Sequence, residues 1–322
     1  MSGQLLVPLD GSSLAESAIP IAVEIARRLD LELTLIRVQS PVGVLPYPPE
    51  MPIYMPEMEL EERVREVSES WLRERAADVE RTSGLCVSAV LRVGDPASEI
   101  VSAAAALGAR AIVCTTHGVG GVAPHWIGSV ADAIVRHAPC PVLALPPQAM
   151  ARSDATRTVL VLLDGSEVSD AILPHAEWLA RAFDADLELF SVVAPGRLDD
   201  SLESADADRF GIGAHAKEVK SRLDTLVADL RAKGLRARCA VQLGASPART
   251  ILAYVAHTNP DMLALATYGR GLSRLFLGSV ADKVLRSSGR PTLMLRPSVT
   301  PAAAAGDTAG SHTSAVEFVG GL

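Results

Sequence analysis

Aromatic side chains are scarce, with Phe, Trp and Tyr together making only 4% of the 322 residues. A core with so few rings must be built mainly from Ala, Val, Leu and Ile. Cysteine is nearly absent too. Four cysteines without a Cys-x2-Cys pair make neither a disulfide framework nor a zinc site. Cys114 and Cys140 fall in strand-like runs, AIVCTT and CPVLAL, and are expected to be buried free thiols. No basic block occurs, and 30 Lys and Arg against 38 Asp and Glu give a net charge of -8. That balance argues against bulk nucleic-acid or anionic-membrane binding. It leaves room for a nucleotide, which backbone amides hold without net positive charge. No run approaches the roughly 18 apolar residues of a spanning helix. The opening MSGQLLVPLDGSS lacks a basic flank and is interrupted at Pro8, unlike a signal peptide. The expectation is a soluble cytoplasmic protein.

What is present is a core-forming composition, 48% hydrophobic and 21% charged, over a length that suggests two domains at about 150 residues each. The chain is in fact written twice. LVPLDGSSLAESAIPIAVEIARRLDLELTLIRV (6–38) aligns with LVLLDGSEVSDAILPHAEWLARAFDADLELFSVV (160–193). The Asp-Gly-Ser triplets at 10–12 and 164–166 stand 154 apart, as do Pro20 and Pro174. LRVGDPAS (91–98) matches VQLGASPAR (241–249), and GSVAD recurs identically at 128–132 and 278–282. Self-similarity on this scale marks duplication of a whole domain. The expected boundaries are 1–147 and 156–297, joined by a proline-rich polar seam, with a disordered tail over 298–322.

Each half alternates strand and helix patterns. In the first, QLLVPL is followed by a helix with Ile19, Val23, Ala26 and Leu29 on one face. Pro20 within that pattern implies a late start or a kink. ELTLIRV (32–38) is the second strand; Leu60, Val64, Val67, Trp71 and Val79 mark another helix. Strands follow at 86–93, 111–115 and 141–145, with helices over 97–107 and from about Ser129. Such alternation requires right-handed crossovers and a parallel sheet covered on both faces. The predicted fold is α/β: two tandem Rossmann-like domains, each a five-stranded parallel sheet of order 3-2-1-4-5 with helices on both faces. Ligands bind such sheets beyond the carboxyl ends of the strands, where the order reverses.

Strand four of each half runs into a glycine-bearing loop, TTHGVGGVAPHWIGSVAD (115–132) and ATYGRGLSRLFLGSVAD (266–282). A loop of this kind feeding a helix offers N–H groups and a positive dipole end to an anion. Ser129 and Ser279 read as N-caps able to donate to a phosphate instead. The plain alternative is a βα connection whose glycines serve only turn geometry.

These residues resemble the universal stress proteins, and the resemblance covers both halves. Nucleotide-binding members carry Gly-x2-Gly-x9-Gly-Ser/Thr after strand four, an Asp ending strand one and a Val ending strand two. The resemblance implies that Asp10 and Val38 meet base and ribose, and that Thr115, Gly118, Gly128, Ser129 and Val130 line the phosphates. In the second half the matching positions are Asp164, Val192, Ala266, Gly269, Gly278, Ser279 and Val280. It implies ATP, with Mg²⁺, as the ligand and a stress-response role as a nucleotide-dependent switch. It also implies an internal pseudo-dimer, its fifth strands meeting across the interface, and room for a further homodimer with unknown protein partners. Two departures favour a nucleotide-independent interaction scaffold. Thr115 and Ala266 replace the motif's first glycine, and the second loop has eight rather than nine residues between Gly269 and Gly278. The first loop lacks Lys and Arg from 116 to 135, whereas the second offers Arg270 and Arg274.

Other chemistries fit less well. Asp10, His117 and Ser129 converge on one crevice, but neither serine lies in a Gly-x-Ser-x-Gly elbow. No P-loop lysine is present, which leaves slow ATP hydrolysis at most and no assigned catalytic residue. His117 and His125 lack a third metal ligand. The 39–60 segment, with six prolines, suits a lid, a partner surface or a plain solvent loop, and its acidic counterpart at 194–215 reads as mobile.

Overall fold

The computed structural model of the chain describes residues 3–41, 57–117, 127–147, 157–194, 205–267 and 277–297, with backbone alone at 57–58 and 205–213. The core of the 39–60 segment, most of the seam and the 298–322 tail lie outside the described residues, as do Gly118, His125 and Gly269.

The first half runs β1 (Gln4–Pro8), α1 (Ser13–Glu16), α2 (Ile19–Leu29), β2 (Glu32–Gln39), α3 (Glu57–Ser83), β3 (Val87–Val93), α4 (Pro96–Ala106), β4 (Ala111–Thr115), α5 (Ser129–His137) and β5 (Val142–Leu145). The second repeats it as β6 (Thr158–Leu162), α6 (Glu167–Asp170), α7 (Leu173–Phe183), β7 (Asp186–Val193), α8 (Ala205–Ala232), β8 (Ala237–Leu243), α9 (Pro247–Thr258), β9 (Met262–Ala266), α10 (Ser279–Ser287) and β10 (Thr292–Leu295). Pro20 and Pro174 explain why a short helix precedes each long one. Each stands in the first turn of its new helix, where a missing N–H costs no intrahelical bond.

The strand order is β3-β2-β1-β4-β5-β10-β9-β6-β7-β8, two copies of 3-2-1-4-5 facing each other. Neighbours within each half are parallel. The halves meet where β5 and β10 pair antiparallel, with Leu143 opposite Leu293 and Val142 opposite Met294. Both strands are buried at every position. The cores fuse with them. One layer joins Leu5, Leu35 and Leu143 to Val161, Leu189 and Leu293; the other joins Ile36, Ile112 and Ile134 to Phe190, Leu263 and Val284. Across the join Arg157 donates to both Glu24 oxygens at 3.1 Å, and Arg110 lies over the Trp178 ring at 5.8 Å.

Some expectations need correction. Val67 is off the core face of α3 and 65% exposed, because the buried line steps through Ser68, Leu72, Ala76 and Val79 and leaves it a position out of phase. The second half of the supposedly mobile 194–215 segment belongs to α8, which already begins at Ala205. Cys114 is buried, and burial pushes its thiol up to about 12. Cys140, however, precedes β5 rather than lying in it and is only half-buried; burial raises it to about 11. No helix among the described residues is long and apolar enough to cross a membrane.

Two features of this packing give measurable consequences. His175, half-buried on α7, is held below its ordinary pKa by burial and then by the Arg110 charge. The unfolded chain therefore binds this proton more readily. The stability that His175 contributes is complete above about 6.5 and lost as pH falls through its lowered native value. Melting temperatures measured from pH 7.5 down to 5.5 should fall, and His175→Gln should flatten the decline; an unchanged slope in the variant would contradict the assignment. Second, Glu188, 4% exposed, accepts from Arg238 at 2.8 Å and from Tyr254 at 2.5 Å, where the first half has a buried Thr34. Removing it by Glu188→Ala strands the Tyr254 hydroxyl and should cost about 1–3 kcal/mol in urea unfolding, with Glu188→Gln costing less.

Candidate functional site

The carboxyl ends of β1, β2 and β4 and the amino end of α5 share one edge of the sheet, at the point where strand order reverses between β1 and β4. Leu9 N donates to Ile36 O at 2.8 Å and holds the end of β1 beside β2. Asp10 follows. Its Oδ1 accepts from Ser12 N at 2.9 Å and from Ser12 Oγ at 2.6 Å, and Ser12 Oγ caps α1 by accepting from Ala15 N at 3.1 Å. Gly11, at φ +90, makes the turn that an L side chain disfavours. Each member of the Asp-Gly-Ser triplet thus has a local structural role. The second half repeats it: Asp164 Oδ1 accepts from Ser166 N at 3.0 Å and Oγ at 2.6 Å, with Gly165 at φ +87.

Each triplet is braced from the long helix. Arg75 of α3 lies 3.4 Å from Glu16, and Arg222 of α8 pairs with Asp170. Burial raises the Asp170 pKa against the pull of Arg222, and the Asp164 charge adds to the rise. Arg37 lies against Gly11 and stacks on Trp71 at 4.8 Å. Reading the strand as ELTLIRV missed this cation beside the crevice. The available signal was an arginine interrupting an apolar strand, matched by Ser191 in the second half.

Val38 and Val192, each the penultimate residue of its strand, are half-buried and pack on the α5/α10 layer of the core, as do Val130 and Val280. Thr115 closes β4 with its Oγ1 donating to His117 O at 2.7 Å. Neither Thr115 nor Ala266 has a positive φ, so neither position needs glycine for its backbone conformation. Thr116 N then donates to Leu145 O at 2.9 Å, and Gly128 N to Thr116 O at 2.8 Å. In the second half Gly278 N donates instead to the Thr267 hydroxyl at 3.2 Å.

The helix ends differ from expectation in one respect. Ser129 and Ser279 are not N-caps; they are the first helical residues, and Gly128 and Gly278 hold the cap positions at φ -59 and -51. The reason is the backbone. Gly128 O accepts from Asp132 N and Gly278 O from Asp282 N, both at 2.9 Å, which makes the glycine the last non-helical residue. Among the described residues, no side chain caps either helix. Both glycines adopt a φ open to any residue. A Cβ on Gly128 would meet, among the described residues, only Thr116 O at 3.5 Å, an ordinary contact. Nothing among the described residues requires glycine at 128. In general a helix start of this kind can offer its first-turn amides and a serine hydroxyl to an anion.

His117 Nδ1 is engaged with Thr116 Oγ1 at 2.9 Å. No group of three metal-ligating side chains is assembled among the described residues.

Comparison with known proteins agrees with this architecture. The profile of the universal stress protein family matches twice, at residues 1–146 and 155–296. A universal stress protein of Mycolicibacterium smegmatis is 25% identical over 300 residues, covering 91% of this chain and 97% of that one. Universal stress protein YxiE of Bacillus subtilis is 29% identical over 145 residues, covering 44% of this chain and 98% of its own length. Among solved structures, a universal stress protein from Archaeoglobus fulgidus superposes with a TM-score of 0.67 at 19% identity, covering 92% of this chain and 99% of that one. With its two matched halves and its doubled 3-2-1-4-5 sheet, the chain belongs to the universal stress protein family.

Proposed function

We propose that this protein binds adenine nucleotide, ATP with Mg²⁺, at the reversal point of its sheet and uses it as a regulatory signal rather than a substrate. Domains at 1–147 and 156–297 form an internal pseudo-dimer, open to further pairing with a second chain. Asp10 and Val38, or Asp164 and Val192, take the base and ribose. Gly128 and Ser129, or Gly278 and Ser279, take the phosphates, and the nucleotide biases α5 or α10 and the surface beside them.

The carrying observation is the pair of capping glycines, which the protein's own backbone does not need. A helix start with no side-chain cap among the described residues, a glycine of ordinary φ and a serine in the first turn suits a phosphate. Bound ATP supplies the negative charge that satisfies these amides; the sequence carries no P-loop lysine to reach the outer phosphates.

A nucleotide-free interaction scaffold is the competing reading. It draws on Gly128 N being already bonded to Thr116 O, and Thr115 Oγ1 to His117 O, with no ligand involved.

Isothermal titration of nucleotide-stripped protein with Mg²⁺ and ATP separates the two. Saturable micromolar binding is expected, and silence to millimolar ATP would leave the scaffold. Gly128→Val should weaken binding by the first half at least tenfold while leaving the melting temperature within a few degrees, because among the described residues its Cβ meets only Thr116 O at an ordinary distance. Unchanged binding in the variant would contradict the placement of phosphate at this glycine.

A further inference from the structure

Two arginines are shared between the halves. α5 and α10 each carry an Asp-x3-Arg pair, Asp132–Arg136 and Asp282–Arg286, one turn apart on the same helix face. Within α5, Arg136 Nε donates to Asp132 Oδ2 at 2.6 Å and Nη2 to Oδ1 at 3.0 Å. Within α10, Arg286 Nε donates to Asp282 Oδ1 at 2.9 Å. Each arginine also faces the opposite half. Arg286 Nη2 donates to Asp132 Oδ1 at 3.0 Å, and Arg136 Nη2 stands 4.0 Å from Asp282 Oδ1. The four side chains are between 18% and 32% exposed, so solvent screens them only in part. Arg296, just past β10, donates to Arg136 O at 2.6 Å and ties the second half to the carboxyl end of α5.

The same two aspartates are the residues whose N–H groups bond the capping glycines. A continuous path therefore runs from Gly128 O to Asp132 N, from Asp132 Oδ1 to Arg286, from Arg286 to Asp282 Oδ1, and from Asp282 N to Gly278 O. Both ends of it are the helix termini assigned above to phosphate.

Resting on that nucleotide reading, we infer that the shared Asp–Arg quartet makes the two nucleotide sites anticooperative. Phosphate at the first turn of one helix adds negative charge beside that helix's aspartate. The guanidinium groups common to both carboxylates are then drawn toward the loaded side. The aspartate of the empty half loses part of its neutralisation just where a second anion must bind. Two anions competing for one pair of partly buried cations bind less well together than apart. The coupling is reciprocal, and either half has the same effect on the other.

The test compares three titrations of nucleotide-stripped full-length protein with Mg²⁺ and ATP: the intact chain, Gly128→Val with only the second site, and Gly278→Val with only the first. Unequal halves alone give two different affinities, so the readout is each site's affinity in the intact chain against its affinity in the single-site variant. The second ATP should bind the intact chain about fivefold or more weakly than the same site measured alone. Asp132→Asn with Asp282→Asn should abolish that difference. If the double variant does not fold, the first three titrations still decide. An intact isotherm equal to the sum of the two single-site ones would overturn the inference. A tighter second step, or binding by only one of the two single-site variants, would do so too. Silence in all three would overturn the nucleotide reading itself and the coupling with it, an outcome distinct from independent binding.

Discussion

Val142–Leu145 and Thr292–Leu295 are apolar strands that a sheet cannot leave at its edge, and their antiparallel pairing is the contact on which the molecule depends. Each half alone would end in such an edge. Joined, the two make one ten-stranded sheet with both core layers continuous across the β5–β10 pairing. The join also determines what stands beside what. On one face it brings α2 to α7, with the Arg157–Glu24 ion pair. On the other it brings α5 and α10 within hydrogen-bond reach through Arg286 and Asp132. Packing of apolar edges thus sets the distance between the two places where a ligand is proposed to bind.

At each of those places the chain divides its work between two short motifs. Asp-Gly-Ser builds the turn after the first strand from an aspartate acceptor, a glycine at positive φ and a serine cap. Gly-Ser opens the helix after the fourth strand with a glycine cap and, among the described residues, no side-chain cap. The first glycine is needed by the backbone, whereas the second is not. That contrast separates a structural glycine from one whose value lies in what can approach it. Glu16 and Asp170, anchored to the long helices by Arg75 and Arg222, hold the first motif in place.

Much of this was legible before any coordinates. The doubled motifs gave the two halves, the alternation of apolar runs gave the parallel sheet, and β4 was placed at 111–115 to the residue. What escaped reading depends on geometry that one-dimensional spacing does not carry. Val67 matches a helical period yet faces solvent, because Ser68, a small polar residue, takes the buried position. Ser129 looks like a cap, but the helix begins one residue earlier in its hydrogen bonding than a cap at 129 allows. Arg37 was absorbed into a strand pattern. The repeat of GSVAD was plain, but its aspartate had no assigned role until the fold placed each one beside the other half's arginine. Gly118 and Gly269, the motif's middle glycines, lie outside the described residues.

The nucleotide phosphates are proposed to sit at the amino ends of α5 and α10. Amide hydrogen exchange with and without Mg²⁺ and ATP addresses this placement directly, because the first-turn N–H groups of these helices are the proposed donors. The account predicts slowed exchange within 127–133 and 277–283 on addition of ATP, with the outer strands β3 and β8 unaffected. Slowed exchange confined to other elements, or none at saturating nucleotide, would contradict it.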